Sequence, residues 1–231
     1  MRTAQKSLTQ FRTHWTQNNK QRAGNIARLY LKGVKMIIDI SSNNGAIDWQ
    51  KVSKAGVTDV ILRSTTRNGQ LDTRTLENYN GILKNMNEVL NSLSFYKFSY
   101  VRTYAEARME CLKTLNELFS HGIRRDVITR FYLDLEAWGG RDYTNIECNE
   151  VILGYLDQCI NSGVQFGLYF NYNYAKNIVD KVWSDLPLWI ARYNTKLGDV
   201  APWNPEIWQY TSSGHVDGIS TNVDISKRVK E

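Results

Sequence analysis

The sequence predicts an α/β fold, a TIM-like barrel with an incomplete helical jacket, (β/α)5(β)3, and three observations carry that expectation. Apolar strand-like runs alternate with helical stretches from residue 36 to about residue 193, the pattern of parallel strands joined by helical crossovers. Beyond Tyr193 two more strand-like runs follow gaps rich in Gly, Pro, Asn and Ser, too short for an ordinary crossover helix. The length of 231 residues fits one such barrel as a single domain. Eight strands result, of which the first five are followed by helices. A doubly wound open sheet is the second arrangement compatible with the pattern.

The elements follow in order. MIIDIS (36–41) opens the fold as an apolar strand ending in polar residues, and Trp49–Gly56 reads as a short helix. DVILRST (59–65) is the second strand, and a long helical stretch spans about 75 to 91. SLSFYKFSYV (92–101) alternates aromatic and polar residues, as a strand does. TYAEARMECLKTLNELFSHG (103–122) has helical periodicity and stops at Gly122, a C-cap residue. RFYLDLE (130–136), a helix near 147 to 162 ending at Gly163, and QFGLYFN (165–171) come next. A fifth helix near 173 to 183 leads into PLWIARY (187–193), and PEIWQYT (205–211) and NVDIS (222–226) complete the set.

The formal charge of +6 is unevenly spread. Residues 1–35 hold eight Lys or Arg and no Asp or Glu, which leaves 21 basic against 23 acidic residues, a net of −2, for residues 36–231. The expected organisation is therefore a flexible basic arm, 1–35, ahead of a barrel domain, 36–231, with Met36 an alternative natural start and no wall-binding module after Glu231. The arm has no apolar run long enough for a signal peptide or a membrane span. It lacks aromatic interleaving and lies outside the folded body, so nucleic acid is not an expected partner, nor is stable membrane insertion. Cys111, Cys148 and Cys159 show neither CxxC spacing nor an even count, and His14, His121 and His215 are scattered. No disulfide framework, metal site or cofactor follows, and no glycine loop has phosphate-binding spacing.

The chemistry-bearing residues are acids. In FYLDLEAW (131–138) Asp134 and Glu136 stand two apart on a strand and so point the same way. Taken alone, that pair fits a solvated rim as well as a site. In a barrel, however, functional groups gather at the C-terminal ends of the strands. There Asp39, Asp134, Glu136 and Asp224 converge from three distant segments, with Asn171, Arg192, Tyr193, Gln209 and Tyr210 nearby. Tyr96, Tyr100, Tyr169, Tyr172 and Trp189 crowd the same ends, while Phe170 and Trp208 are assigned to the core. Carboxylates flanked by aromatic faces suit a sugar, whose apolar faces stack on rings.

DISSNNGAIDW (39–49), YLDLE (132–136), PLWIARY (187–193) and WQYTSSGHVDGISTNVD (208–224), in this order and spacing, resemble glycoside hydrolase family 25, the cell-wall muramidases of bacteria and their phages. The resemblance spans about residues 36–228. It implies the (β/α)5(β)3 barrel and a lysozyme-type hydrolase of peptidoglycan that cuts the β-1,4 bond between N-acetylmuramic acid and N-acetylglucosamine. By resemblance Glu136 matches the general acid. Asp134 matches the acid that stabilises developing positive charge or orients the substrate's N-acetyl group, and Asp39 and Asp224 match two supporting acids. Substrate-binding positions are Tyr96, Tyr169, Asn171, Trp189, Arg192, Tyr193 and Gln209. The reaction needs one protonated acid and one negative charge, and neighbouring carboxylates with different solvation supply that split, one pKa raised and the other low. The segment 63–81 fits the family's pattern only loosely, 91–101 lacks its usual glycines and 137–145 is idiosyncratic, which leaves the peptidoglycan chemotype open.

The resemblance further implies a monomer acting at the bacterial cell wall as an endolysin or autolysin, with holin-dependent export where no signal peptide serves. A glycan-binding barrel without catalysis and a chitin-type glycosidase stay open as alternatives.

Overall fold

The protein is described from a computed structural model that covers residues 35–229, apart from 87–88, 138–141, 178, 194, 197–198 and 201–202. The expected basic arm lies outside the described residues except for Lys35. Eight strands close in sequence order into a barrel: β1 Met36–Ile40, β2 Val57–Arg63, β3 Ser92–Phe98, β4 Ile128–Asp134, β5 Phe166–Asn171, β6 Leu188–Ala191, β7 Ile207–Gly214 and β8 Val223–Arg228. Strands β1 to β7 run parallel, and β8 runs antiparallel to both of its neighbours, β7 and β1. Five α-helices occur among the described residues, each after one of the first five strands: α1 Trp49–Val52, α2 Thr75–Asn85, α3 Tyr104–Ser120, α4 Asn145–Ser162 and α5 Tyr172–Asn177. The (β/α)5(β)3 barrel is thus the fold, and no open sheet forms.

Local chemistry sets the helix ends. Thr103 and Glu106 form a capping box at the start of α3, and Thr144 and Glu147 form one at the start of α4, each satisfying two orphan backbone donors. Gly163 ends α4 with φ 65°, a left-handed conformation open to glycine. The last expected helix divides. α5 stops at Asn177, and Asp180 then caps a separate 3-10 segment, Lys181–Asp185, by accepting a bond from Val182 N at 3.2 Å. α2 also ends earlier than its periodicity implies, at Asn85.

Strand alternation sorts the apolar residues into two layers. Ile38, Ile40, Val60, Leu62, Phe95, Leu133 and Phe170 face the helices, and Trp208 is buried with them, as expected of core residues. Ile37, Ile61, Tyr132, Tyr169, Trp189, Ala191 and Ile207 fill the barrel interior. Under this inner layer lies a charged floor. Arg228 pairs with Asp59 at 2.6 Å and with Glu206 at 2.7 Å, and Arg130 pairs with Glu206 at 2.6 Å. Gly167 leaves the room this needs, since a Cβ there would stand 2.4 Å from Tyr132 Cε1 and 2.5 Å from Arg130 Cδ. The floor plugs the bottom of the barrel, and at the opposite end Glu136 and Tyr193 reach solvent. No helix among the described residues is long and apolar enough to cross a membrane.

Candidate active site

The open mouth is built by register. β1 pairs with β8 so that Asp39 stands opposite Asp224. Because β8 is antiparallel, its N-terminal end lies beside the C-terminal ends of the other strands, and Asp224, its second residue, reaches the same mouth. Asn44 ties the loop after β1 to this end of β8: its amide donates to Thr221 Oγ1 at 3.3 Å and to the Asn222 carbonyl at 3.1 Å.

Asp39 is 9% exposed and accepts a bond from Gln209 Nε2 at 2.9 Å. Burial, then the neighbouring charge of Asp224, holds Asp39 well above the usual carboxylate range. Burial also raises Asp224, and its contact with Asp39 opposes that rise. Gln209 is itself buried, and its Oε1 accepts from Tyr169 OH at 3.0 Å and from Tyr193 OH at 2.8 Å. One amide therefore fixes an acid and two tyrosines.

Asp134 is the last residue of β4 and 7% exposed. Pairing continues past it through Leu135 N to the Tyr169 carbonyl at 3.0 Å, which keeps the chain extended and brings Glu136 to the same face. Burial pushes Asp134 well up, with Glu136 and Asp39 adding to the shift and Arg63 opposing it. Its Oδ1 is buried and accepts no hydrogen bond. Glu136 is half-buried at the mouth. Burial raises it, a bond from Asn171 opposes the rise, and Asp224 adds to it. Asn171 is oriented for that bond because its Oδ1 is occupied by Tyr174 N at 3.1 Å.

The expected split, one acid raised and its partner low, does not appear. Both are raised, Asp134 by burial and by the charges of Glu136 and Asp39, and Glu136 by burial and by Asp224.

Tyr96, Tyr169, Asn171, Tyr193 and Gln209 all turn inward. Tyr193, 41% exposed, is the open aromatic of the group. Trp189 lies one layer lower at 2% exposure. Tyr96, Tyr132 and Tyr169 surround it, and its Nε1 donates to Ser226 Oγ at 3.1 Å, so its ring is floor and not an open sugar platform. Arg192, the residue after β6, turns away from the mouth: its guanidinium covers the Tyr172 ring at 3.9 Å and donates to the Asp199 carbonyl at 2.6 Å. Arg63, which sequence reasoning passed over, faces the mouth from the end of β2 in the inward alternation of Asp59 and Ile61. Counting that alternation forward from Ile61 is the signal that could have found it. Among the described residues no group of three or more His, Cys, Asp or Glu is arranged to hold a metal.

The model of glycosyl hydrolases family 25 matches residues 38–219 of this chain. The chain belongs to that family. The family match takes in Asp39, Asp134 and Glu136 and stops short of Asp224, which β1–β8 pairing brings to the site. The chain is 26% identical over 190 residues to the autolytic lysozyme of Clostridium acetobutylicum, covering 82% of this chain and 54% of that one. It thus spans about half the length of that relative. Among solved structures it is similar to the modular autolysin LytC from Streptococcus pneumoniae in complex with a synthetic peptidoglycan ligand. The TM-score is 0.73 at 23% identity, over 86% of this chain and 47% of that one. It is also similar to the catalytic domain of endolysin ply40 from bacteriophage P40 of Listeria monocytogenes, with TM-score 0.69 and 20% identity, over 87% of this chain and 96% of that one. At these identities the structural likeness shows the family 25 fold.

Proposed function

We propose that this chain is a peptidoglycan hydrolase, an N-acetylmuramidase that cleaves the β-1,4 bond between N-acetylmuramic acid and N-acetylglucosamine. The observation that carries the reading is the gathering of four carboxyl groups with different solvation at the open end of a family 25 barrel. Glu136 is pushed up by burial yet only half-buried, so a leaving oxygen can reach it, and it serves as the general acid. Asp134, with an unpartnered buried Oδ1, accepts from the substrate's acetamido N–H or faces the positive charge that develops at the anomeric carbon. Asp39 and Asp224 stand opposite each other beside them, and Gln209, which donates to Asp39, holds Tyr193 at the rim.

The barrel, residues 36–231, carries the activity as a monomer, and residues 1–35 form an appended basic arm. The place of action is the bacterial wall, reached from inside a cell with a holin-type partner, as for an endolysin, or as an autolysin. The test is lysis of purified walls by Glu136→Gln. Its rate should fall roughly 10²–10⁴-fold, about 3 to 5 kcal/mol of transition-state stabilisation. Near-normal lysis would remove Glu136 from the role.

A further inference from the structure

The mouth holds one charge that the hydrolase reading leaves unused. Arg63 ends β2, pairs in register with Tyr96, and has Asp39 on one side and Asp134 two strands away on the other. The neighbouring basic side chain on β3, Lys97, is buried and donates to the Thr66 carbonyl at 2.7 Å. Arg63 acts by its charge on Tyr96 and Asp134, yet it forms no ion pair with any of the four acids, and its buried Nε has no hydrogen-bond partner. A half-buried guanidinium whose buried Nε has no hydrogen-bond partner gives up hydration there that the free protein does not replace, so its retention calls for an explanation outside the chain. A planar fork of donors matches a carboxyl group better than any other sugar substituent.

We propose that Arg63 is a specificity-determining residue that binds the carboxyl group of a lactyl ether on the substrate, the substituent that distinguishes N-acetylmuramic acid from N-acetylglucosamine. This rests on the hydrolase reading above and extends it to the choice of sugar. Where a peptide is attached to the lactyl group, the carbonyl oxygen remains as the acceptor. Burial and the neighbouring acids push Asp39 and Asp134 above the usual carboxylate range, which weakens the repulsion an incoming carboxylate meets, and the bond with Gln209 holds Asp39 in place. A chitin-type substrate offers no group to Arg63, so the same contact separates the two sugar classes.

The probes are the disaccharide N-acetylglucosaminyl-β-1,4-N-acetylmuramic acid, its lactyl methyl ester, and N,N′-diacetylchitobiose, titrated into the full chain and followed by NMR. Arg63→Gln should weaken the muramyl disaccharide by about tenfold or more, as for a lost charged hydrogen bond. Binding of diacetylchitobiose should stay unchanged, and Arg63→Lys should keep part of the affinity. Equal losses for both disaccharides would assign Arg63 to the shared acetamido group and overturn the proposal, as would no loss at all. Esterifying the lactyl carboxylate must also weaken binding to the unaltered protein by about tenfold, a reading that does not depend on any variant folding. Unchanged affinity for the ester overturns the proposal on its own. Should wild-type protein bind as proposed yet fail to lyse walls, the hydrolase reading fails and the Arg63 contact stands.

Discussion

Asp134 and Glu136 sit two residues apart and differ in what surrounds them. Asp134 is buried, unpartnered at Oδ1 and faces two acids, whereas Glu136 has Asn171 and an open side. The shift on Asp134 has a consequence for stability. Its folded-state value is raised, so between the ordinary carboxylate value and that raised value the folded protein binds more protons than the unfolded chain. Stability contributed by the protonated group is present at low pH and is lost as pH climbs through this window. Asp134→Asn removes the penalty. Its thermal midpoint should exceed wild type at pH 7 by about 2–4 °C, some 1 kcal/mol, and the gap should close below about pH 4. An unchanged or lower midpoint at pH 7 would contradict the burial of an ionisable group there. Period-two alternation was enough to place Asp39, Asp134 and Glu136 on one face. The same rule turns Arg192 outward and Arg63 inward, but nearness to a strand end concealed the first, and a lone basic residue without a motif concealed the second. The depth of Trp189 was not legible either, because it depends on the stagger between β5, β6 and β7, which a single strand does not carry.

Helices hold the strands at the angles the mouth needs. α3 and α4 pack closely because Gly154 has no side chain: a Cβ there would lie 2.6 Å from the Tyr104 carbonyl oxygen and 2.7 Å from Ala107 Cβ. Gly154→Ala should therefore destabilise the protein by about 1–3 kcal/mol, against the usual helix-favouring gain of alanine. Urea unfolding checks it, and a stabilised variant would show that the helices can separate. The same interface brings Cys111 and Cys159 within 3.6 Å, both buried, and burial pushes the Cys111 thiol up. Their meeting was invisible in the spacing of three cysteines, since it is set by which faces of α3 and α4 touch. Helix starts were easier to read than helix ends. The Thr–Glu boxes of α3 and α4 are local, whereas the break between α5 and the segment begun by Asp180 comes from a second cap competing with continued helix.

Barrel closure depends on β8, which seals the last gap antiparallel and delivers groups to both ends. Asp224 goes to the mouth and Arg228 to the floor, where it neutralises the buried Asp59. Arg228→Met leaves that carboxylate uncompensated and should cost about 3–5 kcal/mol, read as a lower urea midpoint with an unchanged slope. A loss below about 1 kcal/mol would mean the floor is not closed by this pair. The count of eight strands and five helices followed from the short gaps after Tyr193, but the reversed direction of β8 did not, because a short connection permits either sense. The central claim is that this assembly cuts one bond of peptidoglycan, and mass analysis of the reducing ends released from purified peptidoglycan tests it most directly. The account predicts N-acetylmuramic acid at the new reducing ends. N-acetylglucosamine there would contradict it.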